Sequence, residues 1–111
     1  MMLPSGAAPL FAALGDENRL RLVSRLSAGG PLSITRLASG SRVTRQGITK
    51  HLQVMEEAGL VHSMRRGRER IWELDRRRLA EARRHLKQIS KQWDEALERL
   101  RALVEGRSRP L

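Results

Sequence analysis

The chain has 111 residues, a net charge of +10 and a sequence pI near 11.7. That length fits one domain spanning residues 1–111, and that charge selects anionic partners, nucleic acid or an acidic membrane surface. The chain has no cysteine, which excludes disulfides, thiolate metal sites and cysteine nucleophiles. Aromatic residues make up 3% of the chain, too few for single-strand binding by base stacking. No apolar run is long enough for a membrane-spanning helix. The opening MMLPSGAAPLFAALGDE lacks the basic and long apolar regions of a signal peptide. A cytoplasmic, nucleoid-associated protein is the expectation.

In chain order, residues 1–6 read as a loose arm. Ala7–Leu14 reads as a short apolar helix that contains or begins near Pro9. Asp16 is placed to cap a second helix with Glu17 in its first turn, and Leu20, Leu22, Val23 and Leu26 are assigned to its apolar face. Gly29-Gly30-Pro31 ends it. Ser33 caps a short third helix carrying Ile34, Leu37 and Ala38. After the turn Gly40-Ser41-Arg42, Thr44 caps a fourth. A short helix, a tight turn and a capped helix form a helix-turn-helix. In the fourth helix Ile48, Leu52 and Met55 recur at helical spacing as a buried stripe, and Ala58-Gly59 stops it. Leu60–Arg66 and Glu69–Asp75 read as two strands joined at Gly67, with Ile71 and Trp72 anchoring the hairpin. Residues 76–105 read as one long helix with four heptads: Leu79/Ala82, Leu86/Ile89, Trp93/Ala96 and Leu100/Leu103. A frayed tail follows from Arg107.

The predicted fold is therefore mainly α with a small β-hairpin wing, in the order α-α-α-α-β-β-α. Its core spans residues 8–75, and the helix over 76–105 serves dimerisation. A seam of four heptads exceeds what so small a monomer needs. Leu10, Phe11, Leu14, Leu79, Leu86, Ile89, Trp93, Leu100 and Leu103 are the candidate interface of a homodimer. Packing of the last helix on the first within one chain is the alternative.

With the apolar stripe of the fourth helix turned inward, Gln46, Thr49, Lys50 and Gln53 face outward, and Thr44, Arg45 and His51 complete the candidate recognition surface. Arg and Lys donate to guanine, Gln pairs with adenine, and Thr meets the thymine methyl. Residues 60–78 hold seven arginines against three acids, the densest charge excess in the chain. Four of them, Arg65, Arg66, Arg68 and Arg70, cluster around the hairpin tip, where DNA phosphates or a narrow minor groove would relieve their repulsion. Double-stranded DNA is the leading partner. Gly47 inside the helix reads either as a position of close packing against the third helix or as having no role. His51 borders the stripe and could instead be a packed histidine.

On these residues the chain resembles the ArsR/SmtB-type winged-helix regulators. The resemblance rests on FAALGDENRLRLVSRL, ITRLASGSRVTRQGITKHLQVMEEAGLV and RRGRERIWELD, and covers roughly residues 8–105. It implies a dimer built on the first and last helices, a pseudo-palindromic operator and repression of transcription, often released by an inducer. The metal-sensing branches carry cysteines on the third helix or Asp-x-His ligands on the last. Here Ser33, Thr35 and Ala38 stand in the first place and His85 alone in the second. The chain thus looks like a non-metal branch, with no metal site, no cofactor and no enzymatic constellation expected. Two alternatives remain beside the sequence-specific repressor. One is a non-specific architectural nucleic-acid binder; the other is a small-molecule or metal-responsive sensor of the same fold, whose inducer is unknown.

Overall fold

The computed structural model describes residues 7–108. The expected N-terminal arm and the last three residues of the expected tail lie outside them. Eight elements follow in order: α1 (Ala7–Leu14), α2 (Glu17–Gly29), β1 (Leu32–Ser33), α3 (Ile34–Ala38), α4 (Arg45–Glu57), β2 (Val61–Arg66), β3 (Glu69–Leu74) and α5 (Arg76–Ser108). The winged helix-turn-helix arrangement is as the sequence predicts, with one added strand. The long helix runs three residues past its expected end, into the segment expected to fray.

The starts of the helices follow from side-chain chemistry. Asp16 accepts from the Arg19 backbone N–H at 3.0 Å, Ser33 from Arg36 at 3.2 Å, Thr44 from Gly47 at 3.0 Å and Asp75 from Arg78 at 3.1 Å. Each satisfies an amide that has no partner within its own helix. Pro9 sits in the first turn of α1, where its missing N–H costs nothing. Glycines close the helices. Gly30 follows α2 with φ 72° and Gly59 follows α4 with φ 77°, a region closed to most side chains.

Three arginines complete the opposite helix ends. Arg19 donates from Nε to the Ala13 carbonyl (2.7 Å) and from Nη2 to that of Ala12 (3.3 Å), at the end of α1. Arg25 donates to the carbonyls of Leu37 (2.6 Å) and Arg36 (2.8 Å), at the end of α3. Arg78 donates to the Ala58 carbonyl at the end of α4 (2.9 Å) and pairs with Glu81 (2.6 Å). Cations favour helix C-termini because the terminal carbonyls are unpaired and the macrodipole is negative there. Part of the chain's positive charge is therefore structural.

The strands form one antiparallel sheet in the order β1-β3-β2. Leu32 pairs with Trp72 and Ser33 with Ile71. The sequence gives no sign of β1, since two residues carry no periodicity and their partners lie some forty positions away. Trp72 is the largest side chain of the core, with Leu10, Leu37, Ile48, Leu52, Met55 and Leu60. Its indole Nε1–H has no hydrogen-bond partner among the described residues. Leu20 departs from its expected place and is 48% exposed. It lies two residues, about 200°, from buried Leu22, so one helix face cannot bury both.

Helix α5 touches the body only near its start. Ala82 is buried, Leu79 packs against the core, and His85 meets Phe11 edge to face with ring centroids 6.2 Å apart. From Ser90 to Gly106 every residue except Ala96 is exposed. The radius of gyration is 20.0 Å, against about 13 Å for a compact chain of this length.

Candidate nucleic-acid interface

The surface of α4 is set by its caps and its inner stripe. Ile48, Leu52 and Met55 are buried, which fixes the rotation of the helix. Gln46, Lys50 and Gln53 then form one exposed row at i, i+4 and i+7, with exposed Thr44 and Arg45 at its N-terminal end. Thr49 is half-buried, and its hydroxyl donates to the Arg45 carbonyl at 3.0 Å. Its methyl remains the group available to a partner.

His51 is not part of this row. It lies on the flank facing α2, where its Nδ1 accepts from Arg19 Nη1 at 3.4 Å. Of its two sequence readings the packed one describes its surroundings, because position 51 is three residues from Ile48, shares its inward side and is half-buried.

Gly47 lies on the same flank. A Cβ built there would stand 2.8 Å from Val43 Cγ1. Val43, in the position before the Thr44 cap, packs against the core cluster that includes Ile48. This is the spacing of a hydrophobic staple, which sets the angle at which the chain enters the helix. Gly47 thus permits a close approach, as one of its two sequence readings held, but against Val43 and not against α3.

The wing is a two-residue hairpin. Gly67 has φ 63° and Arg68 has no positive φ, the signature of a type II′ turn. Its register divides the four arginines. Arg65 stands opposite Arg70, on the face that also carries Ser63 and Trp72. Arg66 stands opposite Glu69, on the other face, with Met64, Ile71 and the His62–Glu73 pair at 3.5 Å. Arg68 sits at the tip. All four are exposed, and among the described residues none is in an ion pair. Two arginines directly opposed in a non-charge-paired position repel each other. One face of the wing therefore concentrates cationic charge, while the other is partly neutralised within the hairpin.

The candidate dimer residues divide as well. Leu10 is fully buried in the chain's own core, so it has no surface to give a partner. Phe11, Leu14 and Leu79 pack partly on that core, and Ile89 is half-buried. Leu86, Trp93, Leu100 and Leu103 are 56–65% exposed, together with Leu97 and Val104, which the heptad reading did not name. Among the described residues no group of three or more His, Asp or Glu side chains is placed to hold a metal ion.

Comparison with known proteins agrees with this architecture. Residues 14–63 match the family model of a helix-turn-helix domain. The HTH-type transcriptional regulator Rv2034 of Mycobacterium tuberculosis is 36% identical over 96 residues, covering 86% of each chain. The uncharacterized HTH-type transcriptional regulator YuzN of Bacillus subtilis is 40% identical over 68 residues, covering 56% of this chain and 74% of that one. An ArsR-like transcriptional regulator from Rhodococcus sp. RHA1 superimposes with a TM-score of 0.79 at 33% identity, covering 92% of this chain and 93% of that one. With its helix-turn-helix, basic wing and long terminal helix, the chain belongs to the ArsR-type winged helix-turn-helix transcriptional regulators, which are DNA-binding proteins and not enzymes.

Proposed function

We propose that this regulator is a homodimeric repressor that recognises a pseudo-palindromic operator. The observation that carries the reading is the exposed row Gln46, Lys50 and Gln53 on α4, beside a wing whose charge is concentrated on one face. The row supplies base-edge donors and acceptors, and α4 has the dimensions of a major-groove helix. Arg45 lies where the N-terminal turn approaches a phosphate or a guanine. Arg65, Arg68 and Arg70 meet the flanking backbone or minor groove. Arg66, opposite Glu69, contributes less.

The dimer is supported by α5. Six large apolar side chains stand more than half exposed along it. Covering the remaining surface of each is worth about 1 kcal/mol, so two copies gain roughly 12 kcal/mol before the cost of association. The first heptad already serves the chain's own body, which leaves the last three for a partner. A two-fold axis through this seam presents two copies of α4 to successive major grooves and so demands an inverted repeat. Occupation of such a site across a promoter excludes the polymerase.

Selection of bound duplexes from a random pool at near-physiological salt tests the reading. The expected product is an inverted repeat with half-site centres about one helical turn apart. Binding without enrichment of any sequence would refute the sequence-specific reading and favour an architectural role. A reporter driven by the selected site should be repressed; activation would reverse the sign.

A further inference from the structure

A cleft of about 560 Å³ lies between α2, the turn joining α3 to α4, and the first turns of α4. Its size falls within the roughly 300–1,000 Å³ typical of small-molecule sites. The floor is apolar, made by Leu22, Leu37, Val43 and Ile48; the rim carries Arg21, Arg25 and Arg42, and no lining side chain is acidic. Of the nearby carboxylates, Glu17 pairs with Arg21 at 2.6 Å, both side chains largely in solvent, and Asp16 pairs with Arg19 at 4.0 Å beside His51. This combination of apolar floor and cationic rim fits a small organic anion with an apolar body. The rim would hold the carboxylate, sulfonate or phosphate, and the floor would take the body out of water.

We infer that this cleft is a binding site for such an amphipathic anion, and that its occupation weakens DNA binding. The coupling rests on the proposed reading of α4 as the DNA-reading helix. Two walls of the cleft, Val43 and Ile48, are the residues that set how the chain enters α4. A third, Arg25, ties the end of α3 to α2 through the carbonyls of Leu37 and Arg36. A bound anion therefore contacts the two sides of the helix-turn-helix joint. It also neutralises positive charge next to the helix that faces phosphates. By linkage, DNA must then weaken the anion's binding by the same factor.

The test uses the full chain and 8-anilinonaphthalene-1-sulfonate, an aromatic anion whose fluorescence rises when its rings leave water. Saturable binding of one probe per chain is expected. Arg21→Glu/Arg42→Glu, two exposed rim positions that leave Arg25 in place, should weaken it at least tenfold. Arg84→Glu/Lys91→Glu makes the same change of net charge on the outer face of α5 and should leave it unaltered. Equal binding by all three proteins, or equal loss in both variants, would overturn the site. Inorganic phosphate at matched ionic strength should displace the probe poorly; displacement as effective as by a second apolar anion would overturn the requirement for an apolar body. Saturating probe should weaken binding to a pool-selected duplex at least fivefold in the wild type and not in the rim variant. Cleft binding with unchanged DNA affinity would overturn the coupling alone. Failure to bind any duplex would count against the DNA-reading surface and leave the fluorescence result standing.

Discussion

The opposition of Arg65 and Arg70 gives a test in which stability and affinity move in opposite directions. In Arg65→Thr/Arg70→Thr, two like charges facing each other across the β2–β3 ladder become a pair of β-branched hydroxyl side chains. Cross-strand pairs are worth about 0.2–1 kcal/mol, and like charges directly opposed cost a similar amount. The variant should therefore be more stable by up to about 1 kcal/mol, raising Tm by as much as roughly 4–8 °C for a domain of this size. If each arginine meets one phosphate, its loss lowers the slope of log K against log salt by about 0.9, the pair by about 1.8 per protomer and about 3.6 for the proposed dimer. Between 50 and 200 mM salt the wild-type dimer should then lose roughly 150-fold more affinity than the variant, since a fourfold change raised to the power 3.6 is about 150. Fluorescence anisotropy at four salt concentrations and a thermal melt measure both effects. An unchanged salt slope would remove this face of the wing from the DNA. A lower Tm would show that the two arginines are not in conflict in the free protein. Arg66→Thr is the internal comparison: Arg66 stands opposite Glu69 and not opposite a like charge, so its loss relieves no repulsion and should not raise stability, and one arginine per protomer alters the slope less.

Other perturbations probe the remaining parts. Gly47→Ala should destabilise by about 1 kcal/mol despite a helix-propensity gain of about 0.5–1, because its Cβ meets the stiff Val43 side chain and overpacking costs about 1–3 kcal/mol; a melt of Val43→Ala/Gly47→Ala should recover part of the loss, and strict additivity would deny the contact. The Asp16 carboxyl is held below the ordinary carboxylate range, chiefly by the Arg19 backbone N–H. A lowered folded value adds stability that is present above the ordinary value of about 3.9 and is lost as pH falls through the folded one. Asp16→Asn keeps a capping oxygen but cannot titrate, so its acid unfolding curve should be flatter, and an identical acid limb would contradict this. Leu100→Glu should shift sedimentation equilibrium from dimer to monomer and abolish tight operator binding; a mutant that stays dimeric places the interface elsewhere. Lys50→Ala should lower the preference for operator over random DNA by about 1–3 kcal/mol, and equal loss on both would deny it a base-reading role.

What the sequence made legible was chemistry that acts within a few residues. Asp16, Ser33 and Thr44 cap the helices they precede, and Gly67 makes the turn its position suggests, because a hydroxyl or carboxylate three residues from an amide needs no tertiary information. What escaped was what distant parts of the chain decide. Strand β1 exists only because Trp72 and Ile71 lie beside it. Three arginines bind helix ends, so the count of positive charge overstated how much is free to meet phosphate. Leu20 was misplaced by the same difficulty. Helical spacing gives the relative angle of two side chains, while burial also depends on which neighbour covers a face. The split of the wing arginines depends on strand register, which the identity of the turn fixes only once Gly67 is known to occupy its first central position.

Recognition by a single copy would be too weak for a regulator, and this links the open face of α5 to the chemistry of α4. The row Gln46, Lys50 and Gln53 offers three side chains for base edges, each able to discriminate by about 1–3 kcal/mol in good geometry. Not all three can be ideal at once, so one copy commands about two such contacts, about 2–6 kcal/mol. Specific regulators exceed their own non-specific binding by about 4–10 kcal/mol against a genome of competing sites. Two copies on one rigid frame double the discrimination, and the wings double the phosphate contacts that set the register. The frame must hold the two α4 helices about 34 Å apart, beyond the reach of a short hairpin but within the span of a 33-residue helix, which at 1.5 Å per residue is about 50 Å long. On the proposed reading, the exposed stripe of α5 and the exposed row of α4 thus answer one requirement. The first sets the distance and symmetry at which the second is read.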